Sequence, residues 1–106
     1  MSDPDWNDIF SALRDRPRRR LLVSLLDEEA AIDGLDVPED VHAGEKDLET
    51  LRVELFHNHL PLLTHEGYVD WDRESERVSR GPRFDRIRPV LSLFDDHRDE
   101  LPANWP

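Results

Sequence analysis

The sequence predicts a mainly α-helical domain with one small β-hairpin, and three observations carry that prediction. Apolar residues recur at three- and four-residue spacing through most of the chain. A leucine-spaced helix stops at Gly67, and an alternating strand begins directly after it. That strand is joined by the charged turn Arg73-Glu74-Ser75-Glu76 to a second one that ends at Gly81-Pro82. A chain of 106 residues has room for one domain with one core, placed here at about 4–82, with an amphipathic C-terminal helix over about 84–101.

The elements follow in order. Asp3 before Pro4, followed by Asp5, reads as an N-cap with proline at the first helical position, and Trp6, Ile9, Phe10 and Leu13 mark the face of helix one. Arg16-Pro17 restarts a helix whose face is Leu21, Leu22, Leu25 and Leu26, running to about Glu28. From residue 29 to 46 periodicity fails and Gly34, Pro38 and Gly44 punctuate the chain, which predicts a loop with at most a short helical turn near Pro38 to Val41. From Asp47 to Glu66 two stripes, Leu48, Leu51, Leu55, Leu62 and Val53, Phe56, Leu60, Leu63, make a helix apolar around most of its girth, hence a central core element. Pro61 lacks an N–H, so a kink is expected one turn earlier, near His57 and Asn58. Strands Tyr68–Asp72 and Arg77–Arg80 form the hairpin. A final helix is expected to start near Pro89, on the stripe Phe84, Ile87, Leu91, Phe94 and Leu101, with an interruption at Arg98.

Charge is the other strong signal. Asp and Glu number 25 against 14 Lys and Arg, of which Lys46 is the one lysine. A carboxylate-rich, lysine-poor surface suggests a halophile that accumulates salt, where bulk ions screen self-repulsion and net charge keeps the chain soluble. Without cysteine there is no disulfide, thiolate metal site or cysteine nucleophile. The acidic N-terminus is unlike a signal peptide and no apolar run reaches about 18 residues, so a cytoplasmic protein away from the membrane is expected.

Two segments carry a resemblance. The run Ala12-Leu13-Arg14-Asp15-Arg16-Pro17-Arg18-Arg19-Arg20-Leu21-Leu22 resembles the "ALxDPxRRxIL" opening of many prokaryotic winged-helix regulators. In Leu55 to Val69, His59, Leu60, Leu63, Gly67 and Val69 match the "HLxxLxxxGxV" recognition-helix signature of ArsR-type regulators. With Pro61 and Asp70-Trp71-Asp72 added, the block is similar to the "HLPKLxxxGxVxxD" of a large haloarchaeal winged helix-turn-helix family, over about residues 9 to 80. The resemblance implies a winged helix-turn-helix fold, with the long helix as recognition helix and the hairpin as wing. It also implies a dimeric DNA-binding transcriptional regulator. One departure is visible: the slot of the positioning helix, Asp33 to Gly44, is short and broken by proline and glycine.

Candidate residues follow. Residues 14–20 carry +4 and residues 73–88 carry +3, leaving −18 on the rest. Arginines on a wing suit phosphate, because a guanidinium offers a fork of donors to phosphate oxygens. Double-stranded DNA is therefore expected to meet Arg73, Arg77, Arg80 and Arg83 on the wing, and Arg52, His57 and Asn58 on the helix, with Asn58 suited to adenine and Arg52 to guanine or phosphate. Against this stand Asp47, Glu49, Glu54 and Glu66, which make the helix acidic, whereas DNA readers draw affinity from cations beside phosphate. The alternatives are that the arginines neutralise neighbouring carboxylates and that the module binds a protein partner instead.

A homodimer is expected through Trp6, Phe84, Ile87, Leu91, Phe94 and Leu101, with Trp105 as a further aromatic anchor; the alternative reading of the same stripe is that it closes the domain's own core. His57 and His59 are two apart and project to opposite sides, so no metal site is expected, and His59 reads as a packing residue. Asp95, Asp96, Asp99 and Glu100 read as a solvated face. No nucleophile elbow, glycine-rich phosphate loop or carboxylate pair suggests an enzyme or a cofactor.

Overall fold

The computed structural model describes residues 5–44 and 46–106. The cap expected at Asp3 and Pro4 lies outside the described residues; within them Asp5 caps α1 (Trp6–Leu13), accepting from the Asn7 N–H at 3.0 Å. The helix buries Ile9, Ala12 and Leu13 and leaves Trp6 and Phe10 on its outer side.

Helix α2 (Arg16–Ser24) ends before the expected Glu28, because Leu25 and Leu26 turn and Asp27 caps a new helix by accepting from the Glu29 N–H. That helix, α3 (Glu28–Asp33), lies where a loop was expected. It buries no residue, so it lacks the apolar period by which helices are recognised. Gly34 ends it at φ 84°. Next comes β1 (Leu35–Asp36), also unforeseen, since two residues cannot display alternation. One 3₁₀ turn, Glu39–Val41, occupies the place of the positioning helix, as the proline and glycine there predicted.

Asp47 starts the long helix by accepting from the Thr50 N–H and hydroxyl. It runs as α4 (Leu48–Glu54), a π turn (Leu55–His59) and α5 (Leu60–His65). The irregularity falls where Pro61 predicted it. With no N–H at Pro61 the ladder slips by one residue, and the Leu60 N–H bonds the Leu55 carbonyl. Leu51, Leu55, His59, Leu60 and Leu63 are buried and Phe56 and Leu62 pack half-buried against the core, while Leu48 and Val53 are 39% and 47% exposed. Both stripes thus contribute to the core, with one residue of each, Leu48 and Val53, left on the surface.

β2 (Val69–Asp72) and β3 (Arg77–Arg80) pair antiparallel with Trp71 opposite Val78, and β1 adds to the other side of β3 with Leu35 opposite Val78. The expected hairpin is thus part of a three-stranded antiparallel sheet ordered β1-β3-β2. α6 (Phe84–Asp96) starts five residues ahead of Pro89, which sits inside it. Burial of Phe84 and Ile87 holds the first turn despite the donor that Pro89 lacks. A 3₁₀ turn, Arg98–Glu100, follows the interruption. Helices with a small antiparallel sheet, whose β2–β3 hairpin lies between α5 and α6, give a mainly α fold of winged-helix type.

Candidate functional site

The wing is tied to the long helix chiefly through Glu76, a side chain that the sequence did not single out. Asp72 Oδ1 closes the turn by accepting from the Glu74 N–H at 3.0 Å, and Glu76 takes the left-handed region at φ 59°. Glu76 is held from two sides. Its carbonyl accepts from the Val37 N–H at 3.1 Å, and its carboxylate takes the Arg52 guanidinium at 2.6 Å. That hydrogen bond, with the charge of Glu76, raises the Arg52 pKa further. The Arg52 guanidinium lies 4.5 Å from the centre of Phe56, Phe56 meets Trp71 edge-on at 5.0 Å, and Arg73 covers Trp71 at 4.6 Å. This ladder, with His57 and Pro61, lines a groove of about 470 Å³ between helix and wing. The Trp71 Nε1–H is buried there without an acceptor among the described residues.

Of the seven residues expected to meet DNA, the groove gathers Arg52, His57 and Arg73. Arg73 has no carboxylate partner among the described residues, whereas Arg52 is matched by Glu76 and, at 3.9 Å, by Glu49. Asn58 is exposed on the π turn but lines a different cavity. Arg77 turns toward α3 and β1, where it donates to the Asp33 carbonyl at 2.8 Å and pairs with Asp36 at 3.1 Å. Arg80 caps α2, donating to the Leu25 and Leu26 carbonyls at 2.7 and 3.1 Å and pairing with Glu28. Arg83 lies at the base of the hairpin, its methylenes against Gly67 and its charge beside Glu66. The wing arginines thus serve mainly as caps and ion pairs within the domain. From Asp47 to Glu76 eight carboxylates stand against two arginines, a net charge of −6.

The opening arginines are similarly engaged. Arg19 caps α1 by donating to the Leu13 and Arg14 carbonyls, and Arg16 donates to the Pro106 carbonyl. Arg18, only 2% exposed, donates to the Ser11 carbonyl at 2.6 Å and to His59 Nδ1 at 3.0 Å, and pairs with Asp15 at 3.3 Å. His59, 4% exposed, is therefore a buried acceptor as well as a packing residue. Burial and the adjacent Arg18 charge push its pKa below 6.5.

The residues expected at a dimer interface separate into two groups. Phe84, Ile87 and Leu91 are sealed in the domain's own core, which removes them from any surface. Phe94 packs on that core and meets Trp105 edge-on at 5.5 Å, with the half-buried Leu101 beside them. Trp6 remains outside, stacked on Phe10 at 5.7 Å, with both 58% exposed.

No helix among the described residues is long and apolar enough to cross a membrane. The sequence model of a family described as a domain of unknown function (DUF7344) matches residues 10–79, from within α1 to the penultimate residue of β3. No curated protein and no solved structure matches the chain.

Proposed function

The chain belongs to the DUF7344 family, and from that premise we propose that its helix–wing face docks a protein partner whose surface is basic around an apolar centre. The observation that carries this reading is the composition of the face. Leu48, Glu49 and Val53 are exposed on the long helix, Asp72 and Glu74 are exposed on the wing that Arg52 and Glu76 tie to it, and Arg52 is already matched by Glu76. Exposed apolar side chains ringed by charge mark a docking surface. A rim of carboxylates selects a cationic partner and repels phosphate. Nonspecific DNA binding draws its affinity from cations placed on phosphates, and here Arg73 is left almost alone to supply it. The setting we propose is the cytoplasm of a salt-accumulating archaeon, for which the excess of carboxylates and the single lysine are suited.

A second reading, a homodimeric DNA-binding transcriptional regulator, draws support from His57 and Asn58, both exposed on the π turn. Asn58 has the donor and acceptor that an adenine edge requires, and at about 1 M salt screening within about 3 Å softens the repulsion between carboxylate and phosphate. Its dimer would use Trp6 and Phe10, the aromatic pair left on the surface.

A photo-crosslinking residue in place of Val53, introduced in cells, separates the two. The docking reading expects a discrete protein adduct that survives nuclease and is missing when the crosslinker replaces the exposed Ile32 on α3. A nuclease-sensitive adduct at position 53 would support the second reading and overturn the first.

A further inference from the structure

We propose that the cleft between the start of α2 and the long helix binds a small organic anion with a flat apolar body. The cleft encloses about 410 Å³, within the range of small-molecule sites, and shares no lining residue with the helix–wing groove. It therefore stands independently of the docking reading.

The key group is His59. Its Nδ1 accepts the Arg18 Nε–H at 3.0 Å, which fixes the proton on Nε2. That second nitrogen has no acceptor among the described residues, and it is not sealed from solvent as Trp71 Nε1 is. Since the His59 side chain is only 6% exposed yet lines the cleft, its Nε2–H is placed to meet a ligand there. The cleft thus presents a preoriented donor at its inner end, with Pro17, Val41 and Leu51 as apolar walls.

Charge identifies the ligand class. Among the described residues two carboxylates line the cleft and both are matched, Asp15 by Arg18 at 3.3 Å and Glu54 by Lys46. Arg16 and Arg20 add further positive charge at the mouth. Both hold contacts of their own, but a guanidinium carries five donors and can serve a second acceptor. A carboxylate reaching His59 and these guanidiniums, with a flat ring against Leu51, engages both the donors and an apolar wall of the cleft.

The test is long-range ¹H–¹⁵N NMR of the His59 ring, with benzoate, benzyl alcohol and inorganic phosphate as probes. The free protein should show His59 as the Nε2–H tautomer. Benzoate should shift that resonance saturably, at least about tenfold more tightly than benzyl alcohol, as a charge-assisted hydrogen bond requires. Phosphate should bind more weakly than benzoate. Ala43→Phe, at an exposed position lining the cleft, should abolish the shift while leaving the circular dichroism spectrum unchanged. The site is overturned by no benzoate shift, or by a shift that persists in Ala43→Phe. The ligand class is overturned if phosphate or benzyl alcohol matches benzoate.

Discussion

Replacing Arg18 with methionine tests how the three helices are joined. The substitution keeps the apolar stem but removes the guanidinium that connects the Ser11 carbonyl of α1, the Asp15 carboxylate and His59 of the long helix. His59 Nδ1, a buried acceptor, then lacks a donor, at about 1–3 kcal/mol, and the Ser11 carbonyl, which keeps the Arg14 N–H, loses a charge-assisted hydrogen bond worth about 1.5–3 kcal/mol. Asp15 is 34% exposed, so its loss of a partner is screened and adds at most about 1 kcal/mol. The expected cost is about 3–5 kcal/mol, in the range for removing one member of a buried ionic cluster. For a chain of 106 residues, unfolding entropy of about 2.1 cal/mol/K per residue converts this to a fall in Tm of about 13–22 °C. Urea denaturation of Arg18→Met, His59→Leu and the double variant reads it. The double should cost about 2 kcal/mol less than the sum of the singles, because each single leaves the other's nitrogen unpaired. A cost below about 1 kcal/mol for Arg18→Met, or strict additivity, would refute the account of the cluster.

Three further outcomes follow from the same contacts. Because the His59 pKa lies below 6.5 in the folded state, the unfolded chain binds the proton first on acidification. The stability His59 contributes is complete above 6.5 and declines as pH falls toward the folded pKa, at up to about 1.4 kcal/mol per pH unit, and His59→Leu should remove that slope from urea titrations. Arg80→Gln should cost about 2 kcal/mol in urea unfolding, since it uncaps the Leu25 and Leu26 carbonyls. Gly81→Ala would set its Cβ 2.5 Å from the Gly67 carbonyl oxygen and 2.7 Å from the Val69 nitrogen, and should cost about 3 kcal/mol. Gly67→Ala meets only the flexible Arg83 side chain and the strain of φ +83°, at about 1–2 kcal/mol, so its Tm should stay the higher of the two.

The reach of the sequence depended on how each element is stabilised. Helices with a buried stripe, α1, α2 and the long helix, were legible from apolar spacing, and Pro61 correctly located the π turn through its missing donor. α3 and β1 were not, for α3 buries nothing and β1 is two residues long; Asp27 ahead of Glu28-Glu29 was the available cap signal. For the candidate site, the arginine clusters were visible but their partners were not. Arg80 meets α2 more than fifty residues back along the chain, and Arg52 meets Glu76 across the groove. Such pairings come from tertiary structure and leave no periodic trace. Leu48 and Val53 on the long helix show the same limit, since they have the spacing of core residues without the burial.

The central claim, that the helix–wing face repels DNA and serves a protein, is tested most directly by fluorescence anisotropy. A labelled mixed-sequence duplex would be titrated at the lowest salt at which circular dichroism still reports the folded state. That condition favours phosphate binding most strongly. The account predicts a Kd weaker than about 10⁻⁴ M for the wild type, the upper end of ordinary nonspecific binding, with measurable affinity appearing when Glu49 and Glu74 are both changed to lysine. A wild-type Kd in the micromolar range that Arg73→Ala weakens would contradict it.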